Sequence, residues 1–166
     1  MIHLNKSSKL TGALLTVALF VLTTSTAFAG SNPHSKGKAS RIVGVWDVTV
    51  TVFNCETDAQ LFSFPALHKY ELGGTGQVEP AGSSPANPLH LMVWEYLGKG
   101  QYSASIKFFR YDETGVVGTT VISNVFGLNK SGSEFDGSGI VEFFDLNGNK
   151  VGVAGCPEIS GTRFNG

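Results

Sequence analysis

The sequence predicts an all-β fold, a single antiparallel up-and-down barrel of about eight strands. Three observations carry this reading. Apolar and polar residues alternate with period two in segment after segment, beginning with Trp46, Val48, Val50 and Val52 set between Asp47, Thr49 and Thr51. Turn signals rich in Gly, Asn, Asp and Pro recur between these segments at nearly regular spacing. Beyond the first thirty residues no stretch has a helical period, and the connections are shorter than the crossovers a sandwich usually needs.

The elements follow in order. A chain of 166 residues sets a prior of one domain. Lys6 and Lys9 precede an apolar run from Leu10 to Val21, and Ala27-Phe28-Ala29 forms a small-residue cleavage site. Residues 1–29 therefore read as a secretory signal peptide. The apolar run is shorter than the roughly 20 residues that span a bilayer. Residues 30–40 are polar and read as a flexible leader, and 41–166 as the barrel domain. The first strand runs toward Cys55. Gln60 to Leu72 follows, with Phe62, Phe64, Ala66, His68, Tyr70 and Leu72 on one face and Pro65 marking an edge, bulge or break. A glycine turn at 73–76 leads to a short strand ending near Pro80, and the proline-rich stretch 81–88 is a loop. Strands are then expected over Leu89–Leu97, Gln101–Asp112, Val116–Leu128, Glu134–Asp145 and Lys150–Cys156, with a tail beyond. Asn147-Gly148 predicts a type I′ hairpin turn before the last strand.

Charge and cysteine content narrow the function classes. The formal net charge is −1, and removing Lys6 and Lys9 makes it more negative. Nucleic acid would call for a basic face, so it is not an expected partner, and no membrane insertion is expected after cleavage. Cys55 and Cys156, an even pair in a chain expected to be secreted or periplasmic, read as a disulfide, with two buried free thiols as the alternative. Closing a loop of about 100 residues is worth up to about 4.7 kcal/mol in the chain-entropy model. His68 and His90 lack metal-ligand spacing, and Asp145–Asn149 lacks the later glutamate of a calcium loop. No metal or cofactor is expected.

Gly44-Val45-Trp46 at the start of the first strand, with Arg163 near the end of the chain, resembles the G-x-W signature and partner arginine of lipocalins and their calycin relatives. The resemblance implies an eight-stranded barrel whose tryptophan closes one end, with the arginine of the last strand packed across its ring. In that geometry Cys55 and Cys156 would end neighbouring strands. Bacterial periplasmic protease-inhibitor barrels and the allene oxide cyclase barrel are other shapes of this size.

An eight-stranded barrel either fills its interior or holds one small ligand. The expected inward set is Phe62, Phe64, Tyr70, Tyr102, Phe108, Val121, Phe135 and Phe143, interleaved with Ala66, Ala104, Gly137 and Gly139. The leading expectation is a binding barrel for a small hydrophobic or aromatic ligand. Trp46, Phe62, Phe64, Tyr70, Tyr102 and Phe108 would form its apolar wall, and His68, Arg110, Glu95 and Trp94 would orient the ligand. The alternatives are a cyclase or isomerase using His68, Glu95 and Arg110 as acid–base groups, or an inhibitor-type interaction module with a filled barrel and a functional loop at 79–88.

Overall fold

The computed structural model describes residues 37–38, 40–82 and 90–165. The expected signal peptide, most of the expected leader and most of the proline-rich loop lie outside the described residues. A 3-10 turn, Ser40–Ile42, precedes eight strands: β1 (Gly44–Phe53), β2 (Gln60–Tyr70), β3 (Thr75–Pro80), β4 (His90–Gly98), β5 (Gln101–Asp112), β6 (Gly115–Leu128), β7 (Glu134–Phe144) and β8 (Lys150–Arg163). Each strand pairs antiparallel with the next, and β8 returns to pair with β1 from Trp46↔Arg163 to Phe53↔Cys156. The result is a closed up-and-down barrel without a free edge.

The closure rests on the residues the sequence singled out. Trp46 is fully buried, and its Nε1 donates to the Ile42 carbonyl at 2.8 Å. The Arg163 guanidinium lies 4.3 Å from the indole ring centre, a contact worth about 0.5–2 kcal/mol. Its Nε and Nη1 donate to the carbonyls of Gly132 and Val43 at 3.0 and 2.9 Å, and Nη2 donates to that of Arg41. Lys38 and Ser40, within the segment expected as a flexible leader, join this end: Tyr102 Oη donates to the Lys38 carbonyl at 2.7 Å, and Ser40 begins the 3-10 turn. Cys55 and Cys156 form the disulfide, with their Cα atoms 5.2 Å apart.

Several expectations are corrected. β8 does not stop at Cys156 but runs on to Arg163, straight through Pro157. The β7–β8 register passes from Ser138↔Glu158 to Val141↔Gly155, so the N–H that Pro157 lacks falls in an interruption of that ladder. Pro65 likewise does not break β2. Its carbonyl accepts from Ala81 N at 2.8 Å, and its missing N–H would face β3 where that strand ends. The β7–β8 turn is not type I′: the Gly148 N–H closes on the Asp145 carbonyl at 3.1 Å, and only Gly148 takes positive φ (83°). Asp145 Oδ1 accepts from the Asn147 and Asn149 N–H groups, which favours this longer loop.

Large inward side chains are accommodated by glycines on the adjacent strand. Gly137, paired with Phe126, has no room for a methyl, which would strike Phe126 and the Val125 carbonyl. Gly161 stands in the same relation to the Phe135 ring, and Gly139 to the Asn124 side chain. Gly137→Ala should therefore lower stability by about 1–3 kcal/mol through overpacking, read by urea denaturation. Replacing both cysteines by serine should cost about 2–4 kcal/mol in the same assay, because the long loop is then free in the unfolded chain. An unchanged midpoint in either variant would contradict the packing or cross-link assigned here.

Candidate functional site

The barrel interior divides into two halves of different character. Toward the Trp46 end it is solid. Phe135 packs between Trp46 and Phe126 with ring centres 5.0 and 4.9 Å away, and Tyr102 stacks on Phe126 at 5.7 Å. Tyr70 meets Phe126 at 5.8 Å and Trp94 edge-on at 6.2 Å. The Trp94 indole N–H is satisfied by the Glu71 and Thr75 carbonyls at 3.1 and 2.9 Å. Four residues expected in a ligand wall or orienting set, Trp46, Tyr70, Tyr102 and Trp94, thus belong to a filled aromatic plug.

The other half is looser. An internal cavity of about 80 Å³ is lined by Val50, Phe64, His68, His90, Ile106, Phe108 and Asn124, together with Ile159 and Pro157 of β8. Phe64 and Phe108 are half-buried, so this wall continues to the open end. Phe62, stacked on Phe64 at 6.0 Å, is 53% exposed and forms the rim. His90 lies flat against Phe108, ring centres 3.9 Å apart.

The polar groups in this half are incompletely satisfied. His68 is 1% exposed and Asn124 3% exposed, yet His68 Nε2 and Asn124 Oδ1 have no hydrogen-bond partner. A buried polar atom left unpaired costs about 1–3 kcal/mol. His68 Nδ1 lies 3.4 Å from the Tyr70 hydroxyl. Burial drives the His68 pKa down to about 4 and the Tyr70 pKa up, so both are neutral at physiological pH. The tyrosine proton has no other acceptor among the described residues, and we take the phenol as the donor to His68 Nδ1. The imidazole proton then sits on Nε2, and the cavity presents an N–H donor from His68 beside an oxygen acceptor from Asn124.

Arg110 lies two positions beyond Phe108 on the same inner face, its guanidinium 4.3 Å from the Phe143 ring centre. Its Nη2 donates to the Phe144 carbonyl at 3.3 Å, and its buried Nε has no partner. Glu95 is corrected. It stands on the outer face of β4, exposed, and accepts from Ser103 Oγ at 3.2 Å. The trio His68, Glu95 and Arg110 therefore does not assemble. Val121 is also on the outside, because β6 turns Gly118, Thr120, Ile122, Asn124 and Phe126 inward. That phase brings in Asn124, which the sequence reading misses. The signal available is a lone amide in an alternating apolar row, opposite a strand glycine.

Wider concavities exist on the outer surface, one of about 820 Å³ bordered by Asp47, Glu79, Glu134 and Asp136. The acidic groups there are exposed and already hydrated, whereas the interior holds polar atoms that water does not reach, which makes the interior the candidate site. Among the described residues no cluster of His, Cys, Asp or Glu could hold a metal ion. The architecture defines a closed eight-stranded barrel with one end plugged by aromatic side chains and the other loosely filled. Comparison with protein-family models, with curated proteins and with solved structures finds no match.

The buried histidine has a measurable consequence. Its pKa lies near 6.5 when exposed and about 4 when folded, so between these values the unfolded chain binds the extra proton and stability falls as pH falls. The loss should approach about 3 kcal/mol by pH 4, because each tenfold difference in proton affinity between the folded and unfolded chain is worth about 1.36 kcal/mol. The His90 pKa is lowered as well, mainly by burial and with Glu79 opposing. The His68 share is therefore the difference between the wild type and His68→Gln across pH 4–6.5. Parallel stability curves for the two proteins would contradict a buried, neutral imidazole.

Proposed function

We propose that the protein binds a small, largely apolar molecule in the loosely filled half of the barrel. The ligand's polar group enters the cavity and bonds His68 Nε2 and Asn124 Oδ1, and its apolar body lies against Phe64 and Phe108 toward the Phe62 rim. The observation that carries this reading is the pair of unpartnered, buried polar atoms beside a cavity in an otherwise largely apolar interior. An apolar pocket with a few convergent polar groups is the usual composition of a small-molecule site. The cavity is roughly half of the about 150 Å³ that seats benzene in an engineered protein core. It has room for a hydroxyl-, carbonyl- or amide-sized group, with the remainder of the molecule at the mouth. The disulfide supports an oxidising location, outside the cytoplasm, in keeping with the signal peptide expected over residues 1–29.

A second reading, an interaction module, is favoured by a different observation. The outer face of β4–β6 exposes Leu91, Val93 and Phe109 around a concavity of about 570 Å³. Exposed apolar patches of this kind mark contact surfaces.

Native mass spectrometry of the protein isolated from its own host tests the binding reading. A retained organic mass that leaves on denaturation is the expected result. Asn124→Leu, which removes one hydrogen bond, should weaken rebinding about tenfold. A bare protein mass, together with a high-resolution map in which only water bridges His68 and Asn124, would overturn it.

A further inference from the structure

Resting on that reading, we infer that the ligand is an acid, and that Arg110 receives its carboxylate at the mouth of the barrel. The barrel turns two arginines toward its inner face, Arg110 and Arg163, and each is laid 4.3 Å from an aromatic ring centre. They differ in what else holds them. Arg163 donates to three backbone carbonyls and is consumed by closing the barrel. Arg110 donates to one, that of Phe144, and its Nε is buried with no acceptor. A guanidinium carries five N–H donors and stays charged at any physiological pH, so most of its donor capacity is unspent.

No counter-ion is supplied from within the described residues. Among the described residues the salt bridges are Lys69–Glu71 and Lys150–Glu142, and neither includes Arg110. Asp112, two residues further along the same strand, gives its carboxylate to the N–H and hydroxyl of Thr114, each at 2.7 Å. Gly118, paired with Arg110, has positive φ (152°), and a methyl there would strike the Phe144 carbonyl, the same carbonyl that accepts from Arg110 Nη2. A half-buried cation fixed by a ring and one carbonyl, with no acid beside it, is organised for an external carboxylate. Its planar fork matches that group in two parallel hydrogen bonds.

Phe108, which lines the cavity, and Arg110 are two strand residues apart, about 7 Å. An acid held at Arg110 would therefore run its apolar body along Phe108 and deliver its far end to His68 and Asn124. The ligand class is a small aromatic or short-chain carboxylic acid bearing a neutral hydroxyl or carbonyl at the opposite end.

The test compares 3-(4-hydroxyphenyl)propanoate with 3-(4-hydroxyphenyl)propan-1-ol, which differ only in the acid group, by calorimetric titration of the disulfide-bonded protein. The acid should bind about tenfold tighter or more, because charge-assisted bonds are the stronger kind. Arg110→Gln should bring the acid down to the affinity of the alcohol and leave the alcohol unchanged, while Arg110→Lys keeps part of the preference. In NMR spectra the Arg110 Nε–H signal should move with the acid and not with the alcohol. Equal binding of the two compounds to the wild type, or an acid preference that survives Arg110→Gln, overturns the assignment of Arg110 and leaves the barrel site standing. Binding of neither compound overturns both.

Discussion

The guanidinium of Arg163, laid across the indole of Trp46, joins parts of the chain that would otherwise be loose ends. It reaches the backbone before β1 through Val43 and Arg41, and the β6–β7 loop through Gly132. Arg41 bonds the same loop at the carbonyls of Asn129 and Lys130. The first and last strands are thereby pinned at one end, and the disulfide pins them at the other. Gly44 has φ of 138°, and any Cβ there would stand 2.7 Å from Arg163 Nη1. Glycine two residues before the tryptophan is thus a steric requirement of the arginine contact. A sheet that failed to close would expose the ladders of β1 and β8 as free edges.

Closure at the Trp46 end dictates where the interior can be loose. The aromatic plug of Trp46, Phe126 and Phe135 is seated against glycines of neighbouring strands, and the indoles of Trp46 and Trp94 and the Tyr102 phenol find backbone carbonyls. The far half is filled less tightly: Val50, Ile106 and Ile122 and the polar His68 and Asn124 stand beside Phe64 and Phe108, which stay half-buried. The outer surface is polar along β7, β8 and β1, with Asp136, Ser138, Glu158, Ser160, Asp47 and Thr49 exposed in succession. The outer face of β4–β6 differs, exposing Leu91, Val93 and Phe109. Among the described residues no helix is long and apolar enough to cross a membrane.

The fold is legible in the sequence because closure and alternation both leave local marks. β1 has one clean apolar face, and Gly44, Trp46 and Arg163 can be read as a unit without knowledge of their contact. The inward phase is harder to read where both faces of a strand are apolar. β6 carries valines on its outside as well as Ile122 and Phe126 inside, so the pattern points Val121 to the interior and passes over Asn124. A register shift between Arg110 and Tyr111 in the β5–β6 ladder further separates phase from local pattern. Glu95 is misplaced for a similar reason: β4 offers Leu91, Val93 and Leu97 on one face and Met92, Trp94 and Tyr96 on the other. Hydrophobicity alone does not choose between them, but pairing with β5 sets Trp94 opposite Ala104. The positions of His68 and Asn124 in apolar rows can be read from the sequence, but their hydrogen-bond deficit is a property of three-dimensional packing.

Tyr70 links the two halves chemically. Its ring belongs to the aromatic plug, where burial keeps the phenol protonated, and its hydroxyl extends to His68. The plug therefore fixes the tautomer of a residue that faces the cavity. Without the tyrosine proton on Nδ1, the imidazole could present either a donor or an acceptor to the cavity, and the site would lose its distinction between ligand groups. With it, the donor belongs to His68 and the acceptor to Asn124, an arrangement that suits a group carrying both, such as a hydroxyl, over a bare cation or anion. On the proposed reading, a charge carried by the ligand is better placed outward, at Arg110, whose guanidinium bonds the Phe144 carbonyl but has no acidic partner among the described residues. The same packing that seals one end of the barrel thus orders the polarity of the other, neutral inside and cationic at the rim.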